Sequence, residues 1–267
     1  MSAYLRILAT ALLLFASRAN AGDGESWTWT MEPPGGMATL QNQVQFNLTR
    51  GQAGEGVRMM GSTRPASDFR GLSQAQLVGQ GSSPVRFHLQ AEAGRLECTG
   101  MVRERRGQGT CEFSANAQFA SALGQLGITR PTHDQQLRMT LHGFRLDYAA
   151  QLQQLGYSRP SVEQLIQMHN KDVSPAYLRE LHGVGYTGLS SEQVVQLRKK
   201  GVTAEYVRQL RKLGYQSLSA EELVLLRKRG VTAEFIAKLQ AMGFGDLSVE
   251  QLLHLRKKGL PEAIGQR

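Results

Sequence analysis

From residue 131 onward the chain repeats itself: the central turn of each unit falls at Gly143, Asp172, Gly201, Gly230 and Gly259, a constant step of 29 residues. A fixed period between about 20 and 50 residues marks an array of stacked supersecondary units, none of which buries its apolar face alone. The clearest copy spans residues 189–215, LSSEQVVQLRKKGVTAEYVRQLRKLGY, and the next, 218–244, reads LSAEELVLLRKRGVTAEFIAKLQAMGF. Two divergent copies precede them at 131–157 and 160–186, and a fifth begins at Leu247 and is truncated.

Each copy encodes two short helices. The first opens with Thr132, Ser161, Ser190, Ser219 or Ser248, followed three residues later by Gln135, Gln164, Gln193, Glu222 or Gln251. This is a capping box, in which the hydroxyl accepts from an orphan backbone N–H and the Gln or Glu reaches back to the cap residue. Val194, Val195 and Leu197, or Leu223, Val224 and Leu226, form the apolar stripe, and a glycine able to take the left-handed conformation ends the helix. Asp172 stands in that place in the second copy, where the turn is expected to be the least well formed. The second helix starts after Ser174, Thr203 or Thr232, with Pro175 at a first helical position that needs no N–H donor. One aromatic recurs within it, at Tyr148, Tyr177, Tyr206 and Phe235, and another just past its end, at Tyr157, Tyr186, Tyr215 and Phe244; both read as packing between units, a ligand platform being the alternative.

The N-terminal part has a different grammar. Arg6, the apolar run 7–15 and Ala19-Asn20-Ala21 read as a secretory signal peptide over residues 1–21, an uncleaved anchor being the alternative. From Trp27 to Phe113 the period is two: Val44, Phe46 and Leu48, then Val85, Phe87 and Leu89, alternate with polar residues and predict half-buried antiparallel strands. Residues 72–77 suit one capped helical turn, while Pro33-Pro34-Gly35-Gly36 and 51–56 read as loops. In LECTGMVRERRGQGTCEF a tight turn at Glu104 and Arg105 sets Cys98 opposite Cys111 and Gly100 opposite Gly109. A cross-strand disulfide is expected there in an oxidising compartment, with two buried free thiols as the alternative. The fold class is therefore α+β: a signal peptide (1–21), a small antiparallel β domain (22–113), a helical connector (114–130) and an α-helical hairpin repeat array (131–267).

Charge is unevenly placed. Residues 22–129 hold 9 Lys+Arg against 9 Asp+Glu, whereas residues 130–267 hold 20 against 13. The excess gathers in three triplets that end the first helix of the last three copies: Arg198-Lys199-Lys200, Arg227-Lys228-Arg229 and Arg256-Lys257-Lys258. Cations favour a helix C-terminus by about 0.3–1 kcal/mol each, so capping alone is one explanation. The equivalent Thr140-Leu141-His142 and His169-Asn170-Lys171 manage without a triplet, so a stripe that meets an anionic partner is the other.

The stretch PVRFHLQAEAGRLECTGMVRERRGQGTCEF followed by copies of LSxEQLxxLRxxGVTxEYxxxLxxLGY resembles a group of secreted or envelope bacterial proteins in which a short β domain precedes such repeats. The repeats are also similar to those in C-terminal extensions of membrane zinc metallopeptidases of the β-lactam-sensor type. The resemblance implies architecture and an envelope compartment, not a reaction. The chain lacks His-Glu-x-x-His, so no peptidase residue carries over.

Signs of an enzyme are thin. His88, His133, His142, His169, His182 and His254 fall at unrelated repeat positions, and no Gly-x-Ser-x-Gly elbow occurs. Gly107-Gln108-Gly109 lies in a hairpin rather than before a helix, so it is no phosphate loop. His182-Gly183-Val184-Gly185 and Met242-Gly243-Phe244, similar to a DNA-gripping hairpin and to a ubiquitin-associated loop, are only repeat C-caps. The expectation is a periplasmic or secreted, non-enzymatic binding or scaffold protein without cofactor or nucleic-acid partner. Its repeats would meet an anionic protein or envelope component, with possible peripheral membrane association. A regulatory or sensory partner of an envelope metallopeptidase, and a hydrolase on the β domain, stand as alternatives.

Overall fold

The computed structural model describes residues 26–34, 42–51 and 57–259. The expected signal peptide, the loops at Gly35-Gly36 and 52–56, and residues 260–267 lie outside the described residues.

The period-two segments form seven antiparallel strands: β1 (Ser26–Glu32), β2 (Gln43–Arg50), β3 (Arg58–Pro65), β4 (Phe69–Arg70), β5 (Ser83–Ala91), β6 (Gly94–Arg103) and β7 (Arg106–Ala115). Their order is β3-β2-β1-β7-β6-β5-β4, so the chain passes from one sheet edge to the other through a single 3₁₀ turn, Ala66–Asp68. Edges joined by three residues are close together, and the sheet is accordingly curled. Trp29, Phe46, Phe69 and Phe87 meet inside the curl, with ring centroids 5.1 Å apart for Trp29–Phe87 and 5.1 Å for Phe46–Phe69. The expected helical turn is α1 (Gln74–Val78), with a capping box between Ser73 and Gln76 and Leu77 buried.

The β6–β7 hairpin has the predicted register, with Cys98 opposite Cys111 and Gly100 opposite Gly109. Glu104 and Arg105 form its two-residue turn at φ 50° and 63°, the left-handed pair that matches strand twist. The cysteines are joined as a disulfide. Gly100 and Gly109 serve a close approach: a Cβ on either would stand 2.7 Å from the Trp29 ring. That ring lies on the glycine floor and donates from Nε1 to the Thr99 carbonyl at 3.0 Å.

The repeats form two helical layers. First helices are α3 (His133–Leu141), α5 (Val162–Asn170), α7 (Ser191–Lys199), α9 (Ala220–Lys228) and α11 (Val249–Lys258), each packed on the next. Second helices are α4 (Leu146–Gln154), α6 (Pro175–Gly183), α8 (Ala204–Lys212) and α10 (Ala233–Ala241). The expected connector is helical too, as α2 (Ala117–Gln125), but it is more than a connector. It packs on α4 as α4 packs on α6, and lies 29 residues before α4, with Phe119 and Leu123 at the places of Tyr148 and Leu152. The array therefore starts half a unit early, and the slot of the missing first helix is held by the sheet. Leu137 and Leu141 of α3 enter the sheet core while Met139 enters the array core, so the β domain and the array share α3.

Asp172 corrects the expectation of a poorly formed turn. It takes φ 53°, and the bonds Asp172 N–H to His169 O (3.1 Å) and Val173 N–H to Met168 O (3.0 Å) repeat those of Gly201 and Val202. Each unit is also bolted to the next by a buried hydroxyl: Tyr148, Tyr177 and Tyr206 donate to the carbonyls of Val173, Val202 and Val231 at 2.8, 2.8 and 2.7 Å. Burial pushes the phenols of Tyr177 and Tyr206 up to about 12, so they remain donors across the biological pH range.

Candidate functional site

Seven cations, Lys171 and the two trailing members of each triplet, lie where the first helices α5, α7, α9 and α11 run out into their turns and form one rim of the array. The local sequence dictates this. A capping box starts the helix, one face of its nine or ten residues is buried, and Gly201 and Gly230 at φ 66° and 72° turn the chain away. Because the helices stack unit on unit, equivalent residues recur at one helix-to-helix distance, about 8–10 Å.

The structure divides each triplet into two kinds of cation. Arg198, Arg227 and Arg256 lie over the rings of Tyr177, Tyr206 and Phe235 in the preceding unit, with the guanidinium carbon 5.2, 4.8 and 5.2 Å from the ring centroid. Two of them also close on the preceding turn: a Cβ on Gly201 would meet Arg227 at 3.3 Å, and one on Gly230 would meet Arg256 at 3.6 Å. Each of these arginines is thus a staple between units, held by a ring face worth about 0.5–1 kcal/mol, and Arg227 and Arg256 are held also by the negative end of the neighbouring helix. Of the nine residues in the stripe read from the sequence, these three make such a ring contact. Lys199, Lys200, Lys228, Arg229, Lys257 and Lys258 have no ion pair or side-chain hydrogen bond among the described residues, and all but half-buried Lys200 are exposed.

A signal for this division was present in the sequence. The first position is Arg in all three copies, whereas the second is always Lys and the third is Lys or Arg. A flat guanidinium stacks on a ring and a lysine ammonium does so less well, so the constancy of Arg pointed to a stacked role.

The opposite rim is acidic. Glu163, Glu192 and Glu221, near the N-termini of α5, α7 and α9, accept from the capping-box residues Gln135, Gln164 and Gln193 of the preceding unit at 3.1, 3.2 and 2.8 Å. The Gln164 and Gln193 bonds lead the causes that hold Glu192 and Glu221 below the usual carboxylate range. One amide therefore caps its own helix through its oxygen and links to the next unit through its nitrogen. The first-helix layer consequently carries carboxylates along one rim and free cations along the other.

Toward the sheet the basic rim changes character. His169 takes the place of Arg198, its ring 5.2 Å from Tyr148 and 5.3 Å from Phe144. Arg64 of β3 donates to the Leu141 carbonyl at 2.8 Å and so covers the end of α3, while Arg58 pairs with Asp134 at the other end of that helix. Burial first, then His169, Arg138, Arg64 and Lys171, push the His142 imidazole down to about 4, and burial also lowers His169. Both rings are therefore neutral near pH 7; α5 ends in the single Lys171, and the paired cations belong to α7, α9 and α11.

A second feature is a polar groove of about 580 Å³ on the outer face of the sheet, lined in part by Arg70, Arg86, His88, Glu97, Glu112 and Ser26. Register places Arg70, His88, Glu97, Glu112 and Ser26 in one row across five strands. Ser26 and His88 are then three strand spacings apart, about 14 Å, beyond the reach of a nucleophile–base pair. Among the described residues no three His, Cys, Asp or Glu side chains group as a metal site, and no helix is long and apolar enough to cross a membrane. Compared with known protein families and with curated proteins, the chain matches none.

Proposed function

We propose that the protein is an exported, non-enzymatic binding protein whose helical array holds a basic rim against an anionic protein or envelope component. The observation that carries this reading is the set of six cations at the ends of α7, α9 and α11 that have no ion pair or side-chain hydrogen bond among the described residues, next to three arginines stacked on rings. Two like charges about 10 Å apart in a water-like medium repel by only about 0.4 kcal/mol, so the fold tolerates the row and the row still sums to a positive field. The Cys98–Cys111 disulfide supports an oxidising compartment, periplasmic or extracellular.

The test is recovery of partners from envelope extract by the wild type and by a variant with Lys199, Lys200, Lys228, Arg229, Lys257 and Lys258 changed to Gln. The proposal expects a partner that the wild type retains, the variant loses and high salt releases. Identical recovery by both proteins would reduce the rim to helix caps and turn attention to the sheet groove.

A further inference from the structure

We propose that the partner of the basic rim is the phosphate headgroup layer of an anionic lipid bilayer, to which the array binds peripherally and without insertion. The proposal rests on the basic-rim reading and narrows it to one surface. Three observations carry it.

The first is the chemistry of the free cations, of which five are lysine and one, Arg229, is arginine. Guanidinium groups recognise carboxylates in a fixed two-pronged geometry, and the leading arginine of each triplet lies over a ring of the preceding unit. The other six are mostly lysines, compact and strongly hydrated point charges suited to a partner read by charge density rather than by a fixed arrangement of acceptors. A fluid layer of headgroups is such a partner, because its phosphates adjust to the protein.

The second observation is placement. The cations project from the ends of three neighbouring helices, and equivalent members recur at one interhelix step of about 8–10 Å. Two such steps make a line about 20 Å long, and a line of exposed helix ends can touch a plane along its whole length. Toward the sheet the row thins to the single Lys171 after α5, and beyond it Arg64 covers the end of α3 beside His142 and His169. Contact is thereby confined to the part of the array distal to the β domain.

The third is the scarcity of apolar anchors. The exposed large hydrophobics among the described residues are Val57, Met59, Val78, Met101, Leu225 and Met242, and only Leu225, 37 % exposed, lies on α7, α9 or α11. An interfacial helix that inserts shows a broad apolar face, and this rim does not. Attachment is then electrostatic, reversible and sensitive to salt.

The experiment is co-sedimentation of the full chain, without residues 1–21, with vesicles of phosphatidylcholine alone and of phosphatidylcholine with about one-third phosphatidylglycerol. Soluble poly-glutamate serves as a separate probe by fluorescence anisotropy. The wild type should bind only the anionic vesicles, and raising NaCl from about 0.05 M to about 0.5 M should release it. Changing the six free cations to Gln should lower partitioning at least about 100-fold, with circular dichroism unchanged and unfolding still cooperative at a melting temperature lowered only by the lost helix-end charges. A variant with the five lysines changed to Arg should bind within about threefold of the wild type, since charge and not geometry is read. Rim-dependent binding to poly-glutamate with none to anionic vesicles would overturn the bilayer while leaving an acidic protein as the partner. Binding to neither would remove the basic-rim reading itself, and vesicle binding that survives the six-fold substitution would place the contact elsewhere and overturn the proposal.

Discussion

Arg227 and Lys228 are neighbours in sequence with opposite duties, and stability measurements separate them. Arg227 covers the Tyr206 ring and the turn at Gly201, so Arg227→Gln should destabilise the chain by about 1 kcal/mol in denaturant unfolding. Lys228→Gln should leave it within about 0.5 kcal/mol. Asp172 offers the reverse case. A non-glycine residue at φ 53° carries a cost that glycine does not, so Asp172→Gly should stabilise by about 0.5–1 kcal/mol, read as a higher midpoint of thermal unfolding. Part of this residue-scale chemistry was legible beforehand: capping boxes, C-cap glycines and the Cys98–Cys111 register all follow from local rules that act over a few residues. The arginine staple was harder to see, since Arg198 and Tyr177 are 21 positions apart and belong to different units.

Between elements, the chain of Gln-to-Glu bonds has one break. Glu222 stands where the other units have Gln135, Gln164 and Gln193, and a carboxylate has no N–H to offer Glu250 at the next step of 28. Glu222→Gln keeps an acceptor for the Ser219 N–H and adds the missing donor, while removing a like charge from the acidic rim. It should stabilise by roughly 0.5 kcal/mol, a net figure after loss of one favourable carboxylate at the helix N-terminus. The same substitution at Glu221, which accepts from Gln193 at 2.8 Å, should act in the opposite direction. The helices and strands themselves were largely readable from period and turn chemistry. The role of α2 was not, because Phe119 and Ile128 replace the tyrosines of the repeat and Asn116 replaces its Ser or Thr cap. Without a first helix before it, the half-unit lacks the motif by which the copies are recognised.

At the scale of the whole molecule, the weak point under acid is the seam where sheet and array share α3. His142 sits there with its imidazole pushed down to about 4, faced by His169, Arg138, Arg64 and Lys171. The folded state thus binds its proton less readily than the unfolded chain, whose histidine titrates near 6.5. The stability this gives the neutral form is full above about pH 6.5 and is lost as the pH falls through about 4. The half-buried ring leaves much of that screened, so a loss of about 1–2 kcal/mol is expected over this interval, and His142→Gln should flatten the fall in melting temperature. Neither the seam nor the curl of the sheet could be read from the chain, because both depend on contacts between segments more than 70 residues apart, such as Arg64 with Leu141.

The sheet in the slot of the missing first helix makes the array one-sided. One end is a fixed origin, and every unit beyond it is a graduation on a ruler, adding one interhelix step of about 8–10 Å. Length can then be edited among the later units without disturbing the zero mark: a further copy placed between α8 and α9 would move the distal charges outward while Arg64, α3 and the aromatic curl stayed where they are. In a molecule of this design, the distance from the aromatic curl to the distal charges is set by the number of copies.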